Sequence, residues 1–223
     1  VATPDRRNLI GIDLDGTIED SRNDMVASAA RVRQALGLAP RADELLRPHV
    51  NGGMEHLYRA CFDDYVSAGE GQLQIVQRAY EADYLANVRV ETKLYDGMGE
   101  ALRALARIGK LVCVTNKPER ISRALLDALG VGEAFSAVVG GDSCPQAKPH
   151  PVMLQTAAIR CGFDRARGTA FMIGDTNADI QLARAFGAVG VWCAWGYLSA
   201  PSEAPDAEAR HPRDLIAIVE RRA

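Results

Sequence analysis

The chain has 223 residues, 48% of them hydrophobic, enough for a sizeable core in one or two domains. Its 26 basic and 29 acidic residues give a formal net charge of -3 with no basic tail or stripe. No nucleic-acid partner is therefore expected, while a locally positive pocket for a small anion stays open. No apolar run is long enough for a membrane span, and the opening VATPDRRNLI lacks the apolar stretch of a secretory signal. Cys61, Cys113, Cys144, Cys161 and Cys193 are widely spaced and form no C-x-x-C pair, which argues against a disulfide framework or a zinc knuckle and for a reducing, cytoplasmic setting.

Residues 9–12 (LIGI) form a short apolar run that ends at Asp13 and reads as a buried strand followed by a loop. Residues 20–88 then hold little strand-like sequence. Met25, Ala29, Val32 and Leu36 make one helical stripe there, and Leu73, Val76, Tyr80 and Tyr84 another. These stripes either pack into one shared core or form a separate helical insertion. We favour the insertion, with exits near Glu19–Ser21 and Val88–Lys93. Strand and helix patterns alternate after it. Met98, Leu102, Leu105 and Ile108 precede the run 111–114, and Ile121, Leu125 and Leu129 precede 137–139. Met153, Ala157 and Ala158 precede 169–173, and Ile180, Ala183 and Phe186 precede 188–193. The turn-rich stretch 199–212 reads as a surface loop. Such alternation predicts an α/β fold, a Rossmann-like, mostly parallel sheet flanked by helices. The expected division is a core of residues 1–19 and 89–223, with 20–88 as an all-helical cap.

Polar residues stand out at the strand ends, where open α/β sheets place their sites. Asp13 and Asp15 flank Leu14 and are followed by Gly16 and Thr17. Two carboxylates this close repel, and a hard, oxygen-ligated cation such as magnesium relieves that cost. Alone, the pentapeptide also fits a solvated Asp-Gly turn. Thr115 and Asn116 after the second strand carry groups able to bind a phosphate oxygen, or else cap the helix starting near Pro118. Lys148, held in a run with Pro149 and Pro151, supplies a charge to offset phosphate and aspartates. Asp175 ends another apolar strand and Asp179 enters the next helix, where it either ligates metal or orients a metal-bound water and Lys148. Together these residues imply phosphoryl chemistry. Asp13 attacks phosphorus, Asp15 protonates the leaving alkoxide and then deprotonates water, and magnesium and Lys148 stabilise charge on the transferring oxygens.

With these motifs the chain resembles the phosphatase branch of the haloacid dehalogenase superfamily. Asp13-Leu14-Asp15-Gly16-Thr17 is similar to its first motif, Thr115 or Asn116 to its second, Lys148 to its third, and Gly174-Asp175 with Asp179 to its fourth. The resemblance implies metal ligation by the side chain of Asp13, the backbone carbonyl of Asp15 and the acid Asp175. Asp15 argues against dehalogenation, because a carbon–halogen bond needs no protonated alkoxide. Asp20-Ser21, the run Val139-Gly140-Gly141-Asp142-Ser143, Lys148-Pro149 with Pro151, and Trp195-Gly196-Tyr197 resemble the phosphoglycolate phosphatase-like group, whose cap is helical. That resemblance implies a small anionic phosphorylated metabolite as partner, with phosphoglycolate leading. Sugar phosphates, nucleotides and pyrophosphate stay open as substrates. A sugar phosphomutase and a non-catalytic interaction protein are the other classes.

The cap segment from Arg47 to Gly53 reads either as a specificity loop or as a helix–helix turn. Arg47, His49 and Asn51 are its candidate recognition residues. No membrane partner is expected, and the sequence leaves monomer or homodimer open.

Overall fold

The computed structural model describes residues 7–50, 52–67 and 69–222. In chain order the elements are β1 (Asn8–Ile12), β2 (Glu19–Asp20), α1 (Arg22–Ala35), α2 (Asp43–Leu46), α3 (Met54–Cys61), α4 (Asp63–Val66), α5 (Glu70–Ala86) and β3 (Lys93–Leu94). They continue with α6 (Met98–Ile108), β4 (Gly109–Val114), α7 (Glu119–Ala128), β5 (Ala137–Val139), α8 (Val152–Cys161), β6 (Ala170–Gly174), α9 (Asn177–Phe186), β7 (Val189–Cys193), β8 (Ala207–Ala209) and α10 (Asp214–Arg222). The chain divides into two compact units, Val1–Asp20 with Leu94–Ala223, and Ser21–Lys93.

In the first unit a six-stranded sheet runs in the order β5-β4-β1-β6-β7-β8, and its strand pairs are parallel. β1 lies between β4 and β6, with Ile12 opposite both Cys113 and Ile173. Its five residues are buried, as a central parallel strand covered on both faces requires. Alternation sends Leu9, Val112, Val114, Val139 and Met172 to one face, where they pack with Met153, Leu154 and Ala157 of α8 and Leu182 and Ala183 of α9. α6 turns Met98, Ala101, Leu102 and Leu105 inward. Because the strands are parallel, the residues just past β1, β4 and β6 emerge at one edge of the sheet. That register brings Asp13, Thr115 and Asp175 together from distant parts of the chain.

One sequence expectation is corrected here. The stretch read as a surface loop, 199–212, contains β8, which extends the sheet edge beside β7 with Val191 opposite Ala207. The sequence Ala207-Glu208-Ala209 lacks the β-branched run that marks a strand, so only its pairing reveals it. α10, a helix beyond those expected from the sequence, buries Leu215, Ile218 and Val219.

The second unit is helical. Met25, Ala29 and Val32 of α1 are buried, as are Val76, Tyr80 and Tyr84 of α5. The Tyr80 hydroxyl donates to the carbonyl of Met25 across the pair. Arg33, 1% exposed, donates to the carbonyls of Ala39 and Cys61 and to Asp64, so its buried charge is fully engaged. Asp24, at the start of α1, accepts the backbone N–H groups of Val90, Glu91 and Thr92 and the Thr92 hydroxyl. Burial opposes ionisation there, but those donors outweigh it and hold the carboxyl below its ordinary value. The same bonds keep residues 90–92 with the helices, which is why the core resumes only at Leu94. Among the described residues no helix is long and apolar enough to cross a membrane.

Candidate active site

Asp13 follows β1 directly. Its N–H donates to the carbonyl of Ile173, and its Oδ1 accepts from the Leu14 N–H at 2.7 Å. The Lys148 ammonium lies 2.6 Å from the same oxygen and 2.8 Å from Oδ1 of Asp179. All three side chains are almost wholly buried. Burial pushes the Asp13 carboxyl well above its ordinary value; Lys148 opposes that rise, and the charges of Asp179 and Asp175 add to it. Burial disfavours the Lys148 ammonium, yet Asp13 and Asp179 outweigh it and raise that group.

Asp175 follows β6 and is fixed from both sides. The Thr17 hydroxyl donates to its Oδ1 at 3.0 Å and the Tyr197 N–H to its Oδ2 at 2.7 Å. Burial, and then the Asp179 charge, push the Asp175 carboxyl up to about 6 against the donors from Tyr197 and Thr17. Two glycines make room for this arrangement. Gly16 takes φ +80°, and a Cβ there would overlap the Asp175 carboxylate. Gly196 has no such backbone demand, but a Cβ there would overlap Asp175 as well. Gly196→Ala is therefore expected to destabilise the protein by about 1–3 kcal/mol through overpacking, and to lower activity by displacing Asp175. Urea denaturation with parallel turnover measurements checks this; parent stability and turnover together would refute it.

Asp179 is held at both oxygens. Its Oδ2 accepts the Thr176 N–H at 3.0 Å and the Thr176 hydroxyl at 2.6 Å, while Oδ1 meets Lys148. Both Asp179 oxygens are thus engaged, one by Lys148 and the other by Thr176. Asn116 also serves Lys148: the Lys148 N–H donates to its Oδ1 at 2.9 Å, and its Nδ2 donates to the Lys148 carbonyl at 3.4 Å. Its amide thus aligns the lysine backbone. The Lys148–Pro149 peptide is cis. Thr115, 1% exposed, accepts the Lys117 N–H at its hydroxyl oxygen. His150 accepts the Val152 N–H at the start of α8.

Asp13, Asp175 and Asp179 each present an oxygen within 4.8 Å of the others. Fully ionised, the three carboxylates would leave two negative charges uncompensated by the Lys148 ammonium; burial together with that repulsion raises Asp13 and Asp175. Only oxygen donors are offered. That donor set and that excess charge fit a hard divalent cation.

Other candidates fall elsewhere. Arg47 and His49 share a short 3-10 turn in the helical unit; Arg47 donates to Asn23, and His49 Nδ1 lies 3.2 Å from His56 Nε2. Asn51 lies outside the described residues. Lys117 had no role assigned from sequence, yet its ammonium pairs with Oδ1 of Asp15. Its place one residue past Asn116 was the available signal. Tyr197 was also missed as a partner of Asp175, because its contribution is a backbone N–H that any residue except proline carries.

Comparison with known proteins places this geometry. The family model for haloacid dehalogenase-like hydrolases matches residues 8–187. A phosphoglycolate phosphatase of Nitrosococcus oceani is 36% identical over 193 residues, covering 85% of this chain and 84% of that protein. One from Aquifex aeolicus is 31% identical over 214 residues, covering 95% and 96%. The crystal structure of a predicted phosphoglycolate phosphatase from Haemophilus somnus superposes with a TM-score of 0.81 at 28% identity, covering 94% of this chain and 96% of that one. With its strand-end acids, its buried lysine and these matches, the chain belongs to the haloacid dehalogenase-like hydrolases, in their phosphatase branch.

Proposed function

We propose that this protein is a magnesium-dependent phosphatase that hydrolyses phosphoglycolate through an aspartyl-phosphate on Asp13. The observation that carries the reading is the buried Lys148 ammonium held between Asp13 and Asp179, beside Asp175. Curated relatives named phosphoglycolate phosphatase, at 31% to 36% identity over most of the chain, support the substrate.

Asp13 and Asp175, with the backbone carbonyl of Asp15, would hold the cation; Asp179 and Asn116 aim Lys148. When bound, the magnesium ion neutralises the acidic cluster and draws charge from a phosphate oxygen. In the first half-reaction a carboxylate oxygen of Asp13 forms the bond to phosphorus as the ester P–O bond breaks. The electron pair leaves on the alkoxide oxygen, which takes a proton from Asp15. In the second half water bonds to phosphorus, the Asp13–phosphorus bond breaks, the Asp13 carboxylate is restored, and Asp15 takes the water proton. Lys148 stays beside the reacting oxygens throughout and offsets their charge.

Arg47 and His49 are the residues of the helical unit proposed to recognise the substrate carboxylate. The deciding experiment is a panel of phosphoglycolate, sugar phosphates, nucleotides and pyrophosphate assayed with magnesium. Release of inorganic phosphate with the highest kcat/KM on phosphoglycolate is expected; an isomerised sugar phosphate in place of free phosphate would indicate a mutase. Chelation is expected to abolish turnover. Magnesium at ten times its Kd is expected to raise folding stability by about 1.4 kcal/mol, read by thermal melting. A melt insensitive to magnesium would remove the metal from the proposal.

A further inference from the structure

The site contains two buried lysines, and they serve different acids. Lys148 is committed to Asp13 and Asp179. The Lys117 side chain is 1% exposed, and its ammonium pairs with Oδ1 of Asp15, whose side chain is 20% exposed. The two residues are 102 positions apart in sequence. The Lys117 backbone is itself pinned: its N–H donates to the Thr115 hydroxyl at 3.2 Å, and its carbonyl accepts the Gly141 N–H at 3.0 Å. Asp142 then accepts the Glu119 N–H at 2.7 Å, anchoring the start of α7 just beyond. A lysine on so fixed a base is an aiming device. Its stem is packed, and its charge holds one oxygen of the Asp15 carboxylate.

We propose that Lys117 is the positioning residue for Asp15, and that the hydrolysis of the aspartyl-phosphate depends on it most. In the transfer half the ester oxygen is located by the rest of the substrate, so Asp15 meets an atom already in place. In the hydrolytic half the attacking water has no such tether. It is located by the groups it hydrogen-bonds, and Asp15 is the one that takes its proton as the water oxygen bonds to phosphorus and the Asp13–phosphorus bond breaks. Loss of the Lys117 restraint on Asp15 therefore slows the second half more than the first. This inference rests on the phosphatase reading above.

The test is pre-steady-state turnover of p-nitrophenyl phosphate by Lys117→Met in the full chain with magnesium. Its nitrophenolate leaves readily without a donated proton, so the first half is spared that demand. The expected result is a burst approaching one nitrophenolate per site, followed by a steady state roughly 10–100-fold slower than the parent, a part of what a general base contributes. kcat and KM fall together, and kcat/KM falls less. Acid-quenched samples show phosphate accumulated on Asp13, and Lys117→Arg recovers part of the steady-state rate by restoring the charge. Lys117→Gln, which keeps a donor on a shorter stem, stands in if the methionine variant does not fold, with thermal melts run on each. A uniform slowing of kcat and kcat/KM without a burst, or parent-like kinetics, overturns the inference and leaves the phosphatase reading intact. A parent protein that hydrolyses neither this ester nor phosphoglycolate overturns the reading itself.

Discussion

Asp13→Asn is expected to lower turnover by at least about 10⁴-fold while leaving the fold in place. The amide matches the carboxylate in shape, so β1 and the Leu14 contact are retained, but it has no anionic oxygen to attack phosphorus. The electrostatics make the outcome diagnostic. Asp13 is buried beside Asp179 and Asp175, and burial with their charges opposes its ionisation. Neutralising it removes one of three carboxylates crowded within 4.8 Å of one another. The metal-free variant should thus melt at or above the parent temperature while phosphate release vanishes. A variant that keeps parent turnover would remove Asp13 as the nucleophile; one that unfolds would show that the loss says nothing about chemistry. Thermal melts in chelator, beside a phosphate-release assay in magnesium, separate these cases.

Lys148→Met is expected to lower kcat/KM by about 10²–10³-fold and, in chelator, to cost about 3 kcal/mol of stability. The side chain is 3% exposed and bridges two carboxylates, so its removal leaves Asp13 and Asp179 without their counter-charge. The sign of the pH dependence follows. Lys148 is raised by its partners, so its contribution is complete below the unfolded lysine value and persists until pH rises through the higher folded value. It does not fade across the neutral range. Asp175 is pushed up to about 6, and an acid raised on folding makes the native state less stable as pH rises from its ordinary value through that point. In metal-free protein the Asp175 contribution should therefore fall from about pH 4 to 6, and in Lys148→Met it should fall further, because nothing then offsets the remaining carboxylates. Melts at pH 5 and pH 8 in chelator measure this. A variant whose stability deficit is the same at both values would place Lys148 outside the carboxylate cluster's energetics.

Much of the candidate site can be read from the chain because the fold sets its polar candidates at the ends of apolar runs. Leu9 to Ile12 and Ala170 to Ile173 mark strands by local composition, and the next polar residues, Asp13 and Asp175, stand where those strands must end. Lys148 follows no strand or periodic stripe; its prolines and its resemblance to a family motif are what mark it in the sequence. β8 escaped because a three-residue edge strand gains its structure from pairing with β7, which no local pattern records.

The sequence by itself determined the alternation of strands and helices, the helical interval between them, and which acids stand at strand ends. These are properties of short stretches, set by side-chain period and chain stiffness. Only the tertiary structure decided which groups meet. It placed the Asn116 amide on the Lys148 backbone, the Tyr197 N–H and Thr17 hydroxyl on Asp175, Gly196 where any Cβ would strike that carboxylate, and the Lys117 ammonium on Asp15. Those meetings depend on strand order and register, which bring Thr17 to Asp175 and Lys117 to Asp15 across 158 and 102 positions. A lysine in a loop carries no local mark of the carboxylate it will face.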